Sequence, residues 1–441
     1  VKLRPGRNLI RIALAFVVVS ILTFVWAEIP WIIGVLCGLI AVLAMNDYAE
    51  LKRQFGQVSV VRSLPVLSGR GVPFDVELKI ENVGGQHLSG SVRDLAPAVA
   101  NPDFLSHEFE LSADQTSEVF SGKFKVPIRG QFEFGPCWLR LEAPFGILEG
   151  QRAFSETDTI KILPETFSSK EGLEKTSRAE IQLLDKMTKS RQHGVGTDFE
   201  SLSEFRRGDD IRRIDWRATA RAGKPIVRRY QIERHRDVMI ILDCGRLMGA
   251  DTGKGSKLDC AIDAGLMLCR VALESGDQCG IGMFDDQLRG YLPPVSGISS
   301  MSAITEMVYD TQPRFRESDF SHLFATLQSR QSKRSLIVVL SDILDTETTT
   351  RFRTSLATLA RRHVVLFAAL KTPLLDQTIK TSIASIDDVS KTAVAYRVLQ
   401  EREQAIHSIR RSGLNVLDVV PNQLTVPLIN QFIELRGQNL L

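Results

Sequence analysis

The sequence predicts a multidomain protein with three parts: an N-terminal transmembrane helical hairpin, a middle β-sandwich of immunoglobulin-like type, and a C-terminal α/β domain with a doubly wound sheet. Three observations carry that prediction. Two uncharged stretches, Ile12–Trp26 and Trp31–Met45, flank a break at Ala27-Glu28-Ile29-Pro30. From Gln57 to Pro164, short runs alternate apolar and polar residues with period two. In the last 200 or so residues, apolar strand-like runs alternate with helical ones. The boundaries follow as 1–53 for the hairpin, 54–165 for the sandwich, 166–236 for a basic connector and 237–441 for the α/β domain.

Each hairpin run spans 15 residues, roughly 22 Å as helix against a hydrocarbon core of about 30 Å. Leu9, Ile10 and a snorkelling Arg11 extend the first run, and Ile29 and Pro30 the second. Trp26 and Trp31 flank the break as interfacial aromatics do. Lys2, Arg4, Arg7 and Arg11 precede the first run, Lys52 and Arg53 follow the second, and the loop between carries only Glu28. This charge bias predicts a two-pass membrane protein with both termini and the main domains in the cytoplasm. The 6 cysteines form no CxxC pair, which fits a reducing compartment. The 7 histidines are scattered, with no HExxH, so no zinc hydrolase is expected.

In the middle segment, Val58–Val61, Val76–Ile80, Glu108–Leu111, Val119–Val126 and Trp138–Leu141 read as strands between Gly, Pro and Asn signals. About seven such strands make an antiparallel sandwich. It holds no catalytic spacing and reads as a spacer or docking domain, with His87 and His107 at its surface.

The net charge of +3 hides an uneven distribution. Between Phe205 and Arg236, 11 Lys and Arg stand against 4 Asp and Glu. Arg206, Arg207, Asp209, Asp210, Arg212, Arg213, Asp215 and Arg217 interleave the two signs, which suits bidentate pairing. Phe199, Leu202, Phe205, Ile211, Ile214 and Trp216 are spaced to line one side of a well-packed, irregular segment. Three readings stand open: a structural clamp between domains, a basic surface for a protein partner or anionic lipid, and nucleic-acid binding, for which no known module is visible.

The last domain is expected to contain strands at Val238–Asp243, Cys279–Phe284, Leu336–Ser341, Val364–Leu370 and Val416–Val420. Helices are expected at Leu258–Glu274, Met301–Tyr309, Phe320–Gln331, Phe352–Arg362, Ser390–Arg411 (Ser390 as N-cap) and Pro427–Leu435. Ligands on such sheets bind at the carboxyl ends of strands. Asp243 and Asp342 both fall there.

The α/β pattern resembles a von Willebrand factor A domain. A connector signature is similar to that of the family called domain of unknown function 58. It comprises Gly194, Gly196, Asp198 and Phe199, then Gly208, Asp209, Asp210 and Arg212, then Ile214, Asp215 and Trp216, then Ala220 and Arg221. Ser203 departs from it, standing where the family commonly has Arg. The resemblance implies a bacterial membrane protein acting with a MoxR-type AAA+ ATPase as an adaptor or assembly factor. It also implies a metal position: von Willebrand A domains often hold Mg²⁺ on an Asp-x-Ser-x-Ser turn with a later hydroxyl and a later Asp. Here the matching positions are Asp243, Gly245, Leu247, Ser318 and Asp342, so two hydroxyl ligands are missing. Mg²⁺ needs about six oxygens, and the soft thiol of Cys244 is no substitute. The turn therefore reads as a degenerate metal site, with Asp243 and Asp342 the residues left to hold an ion. Without a metal, two neighbouring carboxylates demand a proton or a cation, and Arg246 is the nearest cation in sequence.

The function expected on these grounds is a non-enzymatic, membrane-anchored scaffold with no resident cofactor, presenting its α/β domain to an ATPase and to client proteins. An anionic-lipid or envelope-binding module working through Arg206, Arg207, Arg212, Arg213, Arg228 and Arg229 is the alternative. A metal-dependent hydrolase using Asp243 and Asp342 ranks third, because no general base and no P-loop is visible. Neither nucleic acid nor a small-molecule substrate is expected.

Overall fold

Apolar residues spaced two apart point to one face of a strand, and the computed structural model shows where each face is buried. It describes residues 2–22, 30–154, 157–164, 193–194, 198–206, 211–231, 236–343, 352, 355–380 and 385–438. The chain forms two compact units, Val1–Leu163 and Pro164–Leu441.

In the first unit, β1 (Lys2–Pro5) leads into the helices Arg7–Leu22 and Pro30–Gln57. Ten strands follow: β2 (Val58–Ser63), β3 (Leu67–Gly69), β4 (Phe74–Asn82), β5 (Leu88–Leu95), β6 (Phe104–Leu111), β7 (Ser117–Phe124), β8 (Gly130–Phe134), β9 (Cys137–Glu142), β10 (Leu148–Phe154) and β11 (Asp158–Leu163). They form sheets ordered β1-β10-β9-β5-β6, β2-β4-β7 and β3-β11-β8. Every strand expected from alternation is present. Of the additional ones, β3 is short and β5, β8 and β10 carry Ser, Gly or Arg in place of a clean apolar face, while Ile160 and Ile162 of β11 alternate inward. β4 shows the alternation best: Phe74, Val76, Leu78, Ile80 and Asn82 point inward, while the residues between them are exposed or half-buried. Two apolar clusters fill the space between the sheets, one including Leu78, Val92, Leu111 and Leu139, the other Phe74, Phe124, Phe134 and Ile160.

Among the described residues, one helix is long and apolar enough to cross a membrane, over Gly34–Gln57, with 11% of its apolar window buried. Its C-terminal turns run into the sandwich, where Leu51 and Phe55 join the core. The expected break at Ala27-Glu28-Ile29, together with Trp26, lies outside the described residues. The basic N-terminus, expected only as a charged flank, is a strand that extends the larger sheet through β10.

The second unit contains β12 (His193–Gly194), β13 (Asp198–Glu204) and β14 (Ile226–Gln231) as a small antiparallel sheet, with the helix Trp216–Ala222 between its last two strands. The α/β sheet follows: β15 (Asp237–Asp243), β16 (Gln278–Phe284), β17 (Leu288–Val295), β18 (Ser335–Ser341), β19 (Val364–Leu370) and β20 (Asn415–Val419), ordered β17-β16-β15-β18-β19-β20. All pairings are parallel except β16 with β17. Both sheet faces are covered. Val238, Ile240 and Leu242 pack on one side with the helices Lys257–Glu274, Met301–Val308 and Thr425–Gly437. Met239 and Ile241 pack on the other with Phe320–Arg330 and Ile386–Arg411.

One helix start differs from expectation. Ser385, not Ser390, is the N-cap, because Asp388 three residues on completes a reciprocal capping box. The left-handed Gly413 follows the end of that helix.

Candidate functional site

Parallel register sets the site. β15 and β18 pair from Asp237↔Ser335 to Leu242↔Leu340, so the next residues, Asp243 and Ser341, end side by side. Asp342 is one step further. The turn after β15 is knitted to the 314–318 loop by backbone bonds from Arg246 N–H to Arg316 O (2.9 Å) and from Arg314 N–H to Cys244 O (2.8 Å). These bonds bring Ser318 over Asp243.

Asp243 is 2% exposed and surrounded by donors. Its Oδ1 accepts from Gly245 N–H (2.8 Å) and Ser318 Oγ (2.5 Å), and its Oδ2 from Ser341 Oγ. None of these donors carries charge. Burial therefore pushes the carboxyl up to about 6; the three hydrogen bonds oppose the shift and nearby Asp342 adds to it.

Asp342, also buried, is held by cations. Lys257 Nζ donates to its Oδ2, and to Thr372 Oγ1 at 2.6 Å. Arg402 Nε reaches its Oδ1 at 3.3 Å, and Ile343 N–H donates to the same oxygen at 2.8 Å. The far side of Arg402 pairs with Asp418 at 2.9 Å. Burial pulls the Lys257 ammonium below its ordinary value, and Asp342 opposes that.

The expectation that Asp243 and Asp342 need compensation holds, but the cation expected does not supply it. Arg246 points outward, is exposed, and meets Glu317 at 3.5 Å. Lys257 and Arg402 do the work, from helices far along the chain. Sequence signals for both exist. Lys257 is the first residue of a core helix, where the helix dipole disfavours a cation, so it needs an acid. Arg402 lies on the buried stripe of its helix with Ala395, Ile406 and Ile409, where an unpaired charge is untenable.

Mg²⁺ does not fit this donor set. Both carboxylates are taken up by internal donors. At Gly245 a Cβ would lie 2.2 Å from Ser318 Oγ and 3.0 Å from Asp243 Oδ1, so the Ser318 hydroxyl fills the space a ligand side chain would need. Leu247 is half-buried and brings no oxygen. Among the described residues, no group of three or more His, Cys, Asp or Glu could hold a metal.

In the connector, Asp215 is the N-cap of Trp216–Ala222, accepting from Arg217 and Ala218 N–H at 3.0 Å each. Left-handed Gly223 closes that helix. Arg212 and Arg221 are exposed. Gly208, Asp209 and Asp210 lie outside the described residues. The expectation of a well-packed apolar side is met only in part: Phe205 and Ile214 are half-buried, but Trp216 is 70% exposed, Ile211 67% and Leu202 47%. The reason is local. β13 and β14 form a small sheet, and the seven-residue helix buries no residue.

The fold and site define a doubly wound α/β domain whose strand-end carboxylates are held by internal donors, preceded by an Arg-rich connector. Residues 201–406 match the model of the family described as Protein of unknown function DUF58. Uncharacterized proteins of Mycobacterium bovis and Mycobacterium tuberculosis are 23% identical over 175 residues, 39% of this chain and 54% of theirs. The chain thus spans about half the length of the curated relatives it matches. Among solved structures, a CARDB domain from Pyrococcus furiosus overlaps 24% of this chain and 87% of its own at 13% identity and TM-score 0.18. Proximal thread matrix protein 1 of the mussel byssus overlaps 46% and 47% at 12% identity and TM-score 0.29.

Proposed function

We propose that the protein is a non-enzymatic scaffold anchored in the bacterial inner membrane by a two-pass hairpin, with its folded units in the cytoplasm. The immunoglobulin-like sandwich acts as a spacer. The C-terminal domain, of von Willebrand factor A type, is presented to a MoxR-type AAA+ ATPase or to client proteins. The observation that carries this reading is the filled surroundings of Asp243 and Asp342. Two buried cations, two hydroxyls and two backbone amides take up oxygens that a metal or a reacting group would otherwise use. Such a rim suits a fixed contact surface.

The strand order and the placement of both aspartates at strand ends support the domain type. The apolar Gly34–Gln57 span supports the anchor. So does an apolar hollow lined jointly by Leu9, Ile12 and Ala13 of one helix and Cys37, Ile40 and Ala44 of the other, as expected for two helices lying side by side. Exposed Trp216 and Ile211 give the connector the aromatic and aliphatic anchors that hot spots use.

The test is affinity capture of the tagged full-length chain from detergent-solubilised membranes, wild type against Trp216→Ala. Wild type should retain a AAA+ ATPase, and the variant should retain it about tenfold less, with unfolding free energy changed by no more than about 0.5 kcal/mol. Repeated capture without any AAA+ ATPase rejects the named partner. A second reading, contact with anionic lipid, is favoured by exposed Arg212, Arg217 and Arg221 beside Trp216. It predicts that vesicles rich in anionic lipid float the chain lacking its hairpin and that neutral vesicles do not.

A further inference from the structure

The two apolar helices and the sandwich meet at one turn. Residues Ala143–Ile147 connect β9 to β10, and both ends of the helix pair clasp them. From one side, Gly6 N–H donates to Ile147 O (2.8 Å), Asn8 N–H to Gly146 O (3.1 Å), and Asn8 Nδ2 to Phe145 O (3.0 Å). From the other, the buried Asp47 carboxylate accepts from the backbone N–H groups of Phe145 (3.1 Å), Ile147 (2.9 Å) and Leu148 (3.3 Å). Space is tight: a Cβ on Gly6 would lie 2.3 Å from Gly146 O, and Gly146 itself is left-handed at φ 66°. β1 continues the clasp by pairing with β10 from Pro5↔Leu148 to Lys2↔Gln151.

These contacts fix a depth. Asn8 directly precedes the apolar run that starts at Leu9, and Asp47 lies two residues beyond Met45. At 1.5 Å per residue, both stand about 2–3 Å from the hydrocarbon boundary. The interfacial layer on each side is about 5–7 Å thick, so a turn hydrogen-bonded to both residues falls inside it. At its tip Phe145 is 45% exposed, with Tyr48 (48%) and Leu3 (45%) on the clasping segments. Aromatic side chains with one face free are the type that settles at this level.

We propose that the Ala143–Leu148 turn is a membrane-contact element, with Phe145 dipped among the lipid headgroups and glycerols. The sandwich is then seated on the bilayer, with no free linker between it and the anchor. This rests on reading the N-terminal helices as bilayer-spanning.

The experiment uses the full chain carrying Cys37→Ser, reconstituted in phosphatidylcholine–phosphatidylglycerol vesicles, with a nitroxide at Phe145→Cys or at Val83→Cys. Val83 is 82% exposed and its N–H bonds to Gln57 O, about 18 Å along the helix from Met45. The ratio of collision with lipid-partitioned oxygen to collision with a water-soluble nickel chelate should be about threefold or more higher at 145 than at 83. A label at Tyr48→Cys reports the same layer if the Phe145 variant does not fold. Equal ratios at all three positions, in a chain that resists alkaline carbonate, overturn the proposal and leave the anchor standing. Release of the chain by carbonate overturns the anchor, and this proposal with it.

Discussion

Asp243 and Asp342 are the same residue type at the ends of adjacent parallel strands, both almost fully buried, yet the fold treats them oppositely. Asp342 is met by an ammonium and a guanidinium. Asp243 is met only by two hydroxyls and an amide, which oppose but do not cancel the burial that pushes its carboxyl up to about 6. The difference teaches that strand-end position creates a demand for compensation without choosing how it is met. The choice comes from whichever helices and loops cross that strand end.

The comparison is broken most severely at Asp342. Asp342→Ala leaves Lys257 and Arg402 buried without their shared acid, and should cost about 3–5 kcal/mol in urea unfolding. A cost under about 1 kcal/mol would mean that the ion pairs contribute little.

Asp243 should respond to pH instead. Its folded value lies above the ordinary 3.8, so the folded state holds the proton more tightly than the unfolded chain. Stability is thus lost as pH rises from about 4 to about 6, by about 3 kcal/mol at most. Asp243→Asn cannot titrate there. Its penalty relative to wild type should be smaller at pH 7.5 than at pH 4.5, and equal penalties at the two values would refute the assignment.

Gly245→Ser restores the residue type of a metal-binding turn but collides with Ser318. It should destabilise by about 1–3 kcal/mol, with partial relief in the Gly245→Ser/Ser318→Ala double variant. The smallest effect is expected from Mg²⁺ itself: at millimolar concentration it should move the wild-type unfolding midpoint by less than about 1 °C. Micromolar Mg²⁺ or Mn²⁺ affinity by calorimetry, abolished by Asp243→Ala, contradicts the filled-site picture.

Much of this was legible in residue order. Period two located β4 and β9, continuous apolar runs located β15, β18 and β19, and an acid closing an apolar run marked Asp243. The Gly245 and Leu247 substitutions already argued against a metal turn. The apolar spacing in the connector misled in part, because an irregular segment offers no periodicity to say which side is covered, and Trp216 ended up in solvent.

The sequence by itself determined the alternation of elements, the apolar helical span and the two strand-end acids, because these depend on neighbours within a few residues. Only the tertiary structure decided that Lys257 and Arg402 serve Asp342, that Ser318 and Ser341 serve Asp243, and that Asp47 and Asn8 clasp the Phe145 turn. Those pairings join residues 60 to 137 positions apart. Buried charge selects its partner by distance in space, which the chain sets only when it folds.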